Sequence, residues 1–275
     1  MRKTIALDAG HGLYTAGKRC LKALDPKETR EWQLNSRIAG YAQAGFAAYG
    51  CRALRVDDPT GVEDVPLATR AARANNAKAD IFISIHHNAG ISGGTGGGIC
   101  VYVSKAAGDA ALRLAHAVYE DAVDKTGLKG NRSKGVWADN FAVLTRTSMP
   151  AVLGEFGFMD SSTDVPAILS DKFARECADG IVSATARVLR LEPVGDFGDD
   201  EGANPQGCDE PSAWAREACE WAANASLFVG HGSGSGVAGS GGVFDWQGTM
   251  TREAFAVILK RYFDYLAGKV TAKAG

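Results

Sequence analysis

The chain as a whole carries almost no excess of one charge. Lys plus Arg number 30 and Asp plus Glu 32, a formal net charge of −2. Nowhere do about five or six basic residues run together, so the electrostatic footprint of a nucleic-acid binder is missing. Long hydrophobic runs are missing too, and no segment approaches the roughly 18 apolar residues of a membrane-spanning helix. The opening Met1-Arg2-Lys3-Thr4-Ile5-Ala6-Leu7-Asp8 is basic, but Asp8 interrupts the apolar run before a signal-peptide core can form. The expectation is a chain without an export signal, cytoplasmic on synthesis. The six cysteines contain no Cys-x-x-Cys pair, which argues against a zinc knuckle and leaves reduced, mostly buried thiols as the expectation. With 45% hydrophobic and 23% charged residues in 275, disorder, collagen-like repeats and a coiled-coil rod are also excluded.

What is present alternates. Short apolar or β-branched runs at Thr4 to Asp8, Cys51 to Val56, Asp80 to Ile85, Gly98 to Val103 and Pro150 to Phe156 are strand candidates. Between them, Trp32, Asn35, Ile38, Ala39 and Ala42 follow the spacing of a helix face, as do Leu112, Ala115, Val118, Tyr119 and Ala122. A further helix is expected from about Asp171 to Leu191. This pattern predicts an α/β fold, a three-layer sandwich in which helices flank a twisted, mostly parallel sheet, followed by a small helical C-terminal domain. The first domain spans 1–191. Residues 192–211 have linker composition, with glycines, prolines and the acidic run Asp199-Asp200-Glu201. Residues 212–275 hold two helical patterns, with Ser212 and Thr251 as candidate N-caps, joined by a Gly/Ser-rich loop.

Chemistry-bearing residues gather at strand ends, where α/β sheets build sites. In Leu7-Asp8-Ala9-Gly10-His11-Gly12 a strand runs into a histidine flanked by glycines, which let the backbone turn abruptly. In Phe82-Ile83-Ser84-Ile85-His86-His87-Asn88 a second strand delivers two histidines on opposite faces, so only one can share a site with His11. Two histidines and a carboxylate make the ligand set of a catalytic zinc site. The carboxylates near His11 are Glu28 and Glu31, both at the approach to a helix, and helix-start geometry does not choose between them. Glu155 sits alone in Pro150-Ala151-Val152-Leu153-Gly154-Glu155-Phe156-Gly157-Phe158. An acid in such apolar company must be paired, metal-bound or raised in pKa for proton transfer. His116 and His231 have no second ligand type nearby and receive no role.

Four blocks in order resemble the zinc-dependent N-acetylmuramoyl-L-alanine amidases of the sporulation-amidase and phage-endolysin branch. They are Ile5 to Gly12, Glu31 to Ala39, Thr69-Arg70 through Arg73-Ala74-Asn75 to Ala89, and Pro150 to Phe158. The resemblance covers about residues 3 to 190. It implies a single catalytic Zn2+ held by His11, Glu31 and His86, with Glu155 as catalytic acid/base. It selects Glu31 over Glu28 through the pattern Glu31-Trp32-Gln33-Leu34-Asn35 and leaves His87 as a neighbour of the site. Two departures stand out: the segment Gly12 to Lys27 is lengthened, and Met159-Asp160-Ser161 follows the last strand where many relatives have Ser-Asn. In the tail, Trp214 to Ala222 and Thr249 to Ala256 resemble one S-layer homology unit, which implies wall binding.

The activity implied is hydrolysis of the amide between N-acetylmuramic acid and L-alanine in peptidoglycan, by a phage or prophage endolysin acting on the wall after release. Expected partners are peptidoglycan and, through 212–275, a secondary cell-wall polymer, with neither nucleic acid nor membrane. A sporulation enzyme is the nearby alternative. A non-catalytic wall-binding module and a zinc peptidase acting on stem peptides are the competing classes. The glycine-rich stretch Gly90 to Gly98 is a candidate mobile rim of the cleft.

Overall fold

The computed structural model of the protein describes residues 2–194. The expected linker beyond 194 and the helical unit at 212–275 lie outside the described residues, as do the wall-binding resemblance of that unit and His231. The described part is an α/β sandwich around one six-stranded sheet. Its strands are β1 (Thr4–Ala9), β2 (Arg52–Arg55), β3 (Ile81–Asn88), β4 (Ile99–Val103), β5 (Val136–Ala138) and β6 (Ala151–Phe158). The spatial order is β2-β1-β3-β6-β4-β5. Every neighbouring pair is parallel except β4 with β6, which run antiparallel. The mostly parallel sheet is as expected.

The helices divide between the two faces. α1 (Glu31–Ala47), α3 (Asp109–Thr126) and α6 (Asp171–Leu189) cover one face, while α2 (Leu67–Asn76) and the short α4 (Ala142–Thr145) cover part of the other. A single turn, α5 (Val165–Ile168), precedes α6. Strand alternation sorts the side chains: Ile5, Leu7, Ile83, Ile85, Val152 and Phe156 join the α1/α3/α6 core. Ala6, Phe82, Ala151 and Leu153 join a smaller cluster with Ala74, Val143 and Leu144. Because both faces of β1, β3 and β6 are covered, these strands read as continuous apolar runs, which made them visible in the sequence.

Local chemistry explains the helix limits. The Gln33 side chain accepts from the Arg30 backbone N–H at 2.9 Å at the start of α1. Ser170 Oγ accepts from Phe173 N–H at 3.1 Å at the start of α6. Gly127, at φ 71°, closes α3 in the left-handed conformation. On α3 the expected face is buried at Ala115, Val118 and Ala122, with Tyr119 packed against the core, while Leu112 lies exposed and Leu114 is buried in its stead. Cys20, Cys51, Cys100 and Cys177 are free and buried. Among the described residues no helix is long and apolar enough to cross a membrane.

Candidate active site

Three adjacent parallel strands, β1, β3 and β6, deliver the candidate residues to one edge of the sheet. His11 follows β1 by two residues and adopts φ 66°. A buried arginine holds that strained position. Arg70, on α2 and 0% exposed, donates from Nη1 to Asp8 Oδ1 and to the Ala9 carbonyl, both at 2.7 Å. Its Nη2 donates to the His11 carbonyl at 2.8 Å. Asp8 Oδ2 in turn accepts from Ser84 Oγ at 2.7 Å, joining β1 to β3 beneath the site. Gly10 is required by proximity, because a Cβ there would lie 2.0 Å from His86 Cε1.

Glu31 is the first residue of α1 and is 1% exposed. Its Oε1 lies 3.0 Å from His86 Nδ1 and 3.4 Å from His11 Nε2. The two imidazoles meet edge to face, with centroids 5.0 Å apart. One ligand atom from each of His11, Glu31 and His86 lies within 4.8 Å of the others, the only such group of three or more among the described residues. Glu155 stands beside His86, its register partner across β3 and β6. Glu28, the competing acid, turns away at φ 50° and pairs with Arg19 at 2.9 Å and Lys22 at 4.0 Å.

Electrostatics separate the two acids. Burial opposes ionisation of Glu31, but hydrogen bonds from His11 and His86 outweigh it and hold the pKa well below the usual range. Burial raises the Glu155 pKa to about 7; the positive charge of His86 offsets part of this rise and the negative charge of Glu31 adds to it. Burial works against a charged His86, yet its contact with Glu31 raises its pKa overall. The pair therefore combines an acid held ionised with one poised near neutrality, a pattern typical of hydrolytic sites.

The donor set suits a divalent metal. Glu31 Oε2 and Glu155 Oε2 are buried and lack a hydrogen-bond partner, with Lys18 Nζ 3.7 Å from the former; unsatisfied carboxylate oxygens are costly, and a bound cation or water would satisfy them. Two imidazole nitrogens and one carboxylate oxygen are the ligand types of a three-residue zinc site. His87 serves differently. Asn35 Nδ2 donates to the Gly10 carbonyl at 3.1 Å, which leaves Asn35 Oδ1 to accept from His87 Nδ1 at 2.8 Å. Burial lowers the His87 pKa to about 3, so it stays neutral and braces α1 against the strand ends.

Three features escaped the sequence reading. The clamp of Arg70 on His11 joins residues about 60 apart in the chain, and only the placement of Thr69-Arg70 within an ordered motif hinted at it. Lys18, from the lengthened segment, reaches within 3.7 Å of Glu31 Oε2. The third is a set of side-chain acceptors along the Gly90 to Gly98 stretch. Asp160 Oδ2 accepts from the N–H groups of Gly90, Ile91 and Ser92 at 2.7–2.8 Å. Asp164 Oδ2 accepts from Gly98 N–H at 2.7 Å. His116 lies on α3, outside the metal-ligand group.

A family model described as N-acetylmuramoyl-L-alanine amidase matches residues 5–187. The endolysin of Bacillus phage SPP1 is 30% identical over 214 residues, 78% of this chain and 74% of that protein. An N-acetylmuramoyl-L-alanine amidase of Bacillus licheniformis is 36% identical over 133 residues, 48% of this chain and 49% of that one. The crystal structure of an N-acetylmuramoyl-L-alanine amidase from Clostridium difficile 630 superposes with a TM-score of 0.62 at 29% identity, covering 69% of this chain and 97% of that one.

Proposed function

The chain belongs to the N-acetylmuramoyl-L-alanine amidase family, and we propose that it hydrolyses the amide joining the lactyl group of N-acetylmuramic acid to L-alanine in peptidoglycan, using His11, Glu31, His86 and Glu155. One observation carries this reading: two imidazoles and an ionised carboxylate converge within 4.8 Å beside a carboxyl whose pKa is about 7. The zinc expected on His11, Glu31 and His86 would acidify water and polarise the amide carbonyl.

The remaining steps belong to the chain's own groups. Glu155, ionised at neutral pH in a substantial fraction, takes a proton from the attacking water. It returns that proton to the departing amine of L-alanine, so the C–N bond breaks with a neutral leaving group. Glu31 stays ionised throughout, and the Arg70 clamp fixes the backbone that carries His11. Burial of Glu155 keeps its basicity matched to the working pH.

A phage or prophage endolysin role belongs to the same proposal, supported by the likeness to the SPP1 endolysin. In that role the protein is made in the cytoplasm and meets the wall after release, with 212–275 serving as its contact to a secondary wall polymer. Paired variants test the site assignment. Glu155→Gln is expected to keep zinc at full stoichiometry while turnover falls by about 10²- to 10⁴-fold, and His86→Ala to lose both zinc and turnover. Full zinc content in His86→Ala contradicts the ligand assignment.

A further inference from the structure

Beside the candidate site stands an arginine without a protein partner. Arg132 lies in the segment between α3 and β5, its guanidinium carbon 5.0 Å from the Trp137 ring centroid and 5.5 Å from that of Phe158. Its Nε is buried and makes no hydrogen bond, and among the described residues no carboxylate pairs with it. The acids around the neighbouring glycine loop are already engaged: Asp164 Oδ2 accepts from Gly98 and Phe158 N–H, and Asp160 Oδ2 from three N–H groups of that loop. A partly buried guanidinium lying over two rings, its Nε buried and unpaired, is preorganised for a planar anion, since less rotamer freedom remains to be lost on binding.

The segment that carries Arg132 is tied to the glycine loop on either side of it. Asn131 Oδ1 accepts from Gly97 N–H at 3.0 Å, and Ile99 N–H donates to the Leu128 carbonyl at 3.0 Å. Gly98, at φ 93°, packs so closely that a Cβ would lie 2.3 Å from the Lys129 carbonyl oxygen. The Phe158 ring beneath Arg132 belongs to β6, three residues beyond Glu155. The positive charge of Arg132 favours the ionised forms of both Glu155 and Cys100, which are register partners across β6 and β4. The guanidinium therefore lies within electrostatic reach of the residue proposed to transfer the proton.

We propose that Arg132 forms a carboxylate subsite that recognises an acidic stem-peptide residue following the L-alanine of the scissile amide. This rests on the amidase reading and deepens it. In the substrate of that reaction the lactyl carboxyl is consumed in the amide, so the sugar side of the bond is neutral. Any carboxylate close to the bond is carried by the peptide, on the residue after L-alanine or beyond. A guanidinium held by two aromatic rings beside Glu155 selects a peptide with that charge and aligns the amide through it.

The test uses the full zinc-loaded chain and two soluble N-acetylmuramoyl peptides that differ only in whether the residue after L-alanine bears a free carboxylate or its amide. Dissociation constants by calorimetry and kcat/KM are measured for wild type, Arg132→Gln and Arg132→Lys. The wild type is expected to favour the acidic peptide roughly 10- to 100-fold in kcat/KM, with tighter binding. Arg132→Gln should lose that preference, with the acidic peptide falling much further than the amidated one. Arg132→Lys, which keeps a cation over the rings, should retain part of it. Equal handling of the two peptides by wild type, or an equal loss of both in Arg132→Gln, overturns the subsite and leaves the amidase reading standing. A wild type that neither binds nor cleaves either peptide contradicts the amidase reading itself.

Discussion

Replacing Glu155 with glutamine should change how the stability of the protein depends on pH, in a direction the structure fixes. Burial lifts the Glu155 pKa from an ordinary 4.5 to about 7. The folded state therefore holds this proton more tightly than the unfolded chain does. Between these values the native state binds more protons, so stability falls as pH rises from about 4.5 to about 7. The favourable contribution is fully present below the unfolded value and lost above the folded one. At about 1.4 kcal/mol per pH unit, the difference amounts to about 3 kcal/mol. Glutamine keeps the shape and cannot ionise, so Glu155→Gln should gain about that much relative to wild type at pH 8 and almost nothing at pH 4. In a domain of this size the pH-dependent part of the Tm difference is roughly 6 to 12 °C. The assay is thermal and urea unfolding followed by circular dichroism across this pH range, with chelator present so that no cation offsets the carboxylate. Adding zinc should shrink the difference. Parallel pH profiles for the two proteins would refute the claim that Glu155 is held near neutrality by burial.

Three further substitutions probe the supports of the site. Gly10→Ala places a methyl 2.0 Å from His86 Cε1 and should push the ring aside, weakening zinc by about 10- to 100-fold in a competition titration; unchanged affinity contradicts the close approach. Arg70→Met leaves the buried Asp8 without its ion-pair partner and should cost about 3–5 kcal/mol in urea unfolding; a loss below about 1 kcal/mol would place the clamp outside the folding energetics. Asp160→Ala removes the acceptor shared by Gly90, Ile91 and Ser92. Amide exchange at those residues should accelerate at least about tenfold, with the sheet unaffected, and unchanged exchange would show that other contacts hold the loop.

The fold was legible where burial was one-sided or complete. β1, β3 and β6 are apolar throughout because helices cover both faces, and α6 announced itself through its long periodic pattern. β5 has only three residues, none of them buried, so it left no pattern. α2 was hidden because its buried face is Arg70, Ala71 and Ala74, and an arginine at a core position defeats any hydrophobic count. On α3 only Leu112 was misplaced: it lies at the margin of the buried face, which Ala111 and Leu114 complete. His11, His86 and Glu155 could be read because each stands out against glycine or apolar neighbours at or near a strand end. Helix-start position alone left Glu31 and Glu28 level, and the family resemblance chose Glu31; in the structure α1 begins at Glu31 and Glu28 turns toward Arg19 and Lys22. The Arg70 clamp, the Asn35–His87 brace and the Arg132 stack each depend on residues distant in sequence or on ring geometry, and none leaves a local signature. In the glycine loop, glycines 96–98 permit close packing against residues 129–131 and Asp164, a role that composition cannot distinguish from freedom.

The central claim is amide hydrolysis at a metal site built from His11, Glu31 and His86 with Glu155 as proton carrier. Digesting purified peptidoglycan with the protein, with and without a zinc chelator, tests it most directly, by counting new L-alanine amino termini against new reducing sugar ends. Amino termini should appear without reducing ends, vanish with chelator and return when zinc is restored. Reducing ends in place of amino termini, or amino termini that persist in chelator, would contradict it.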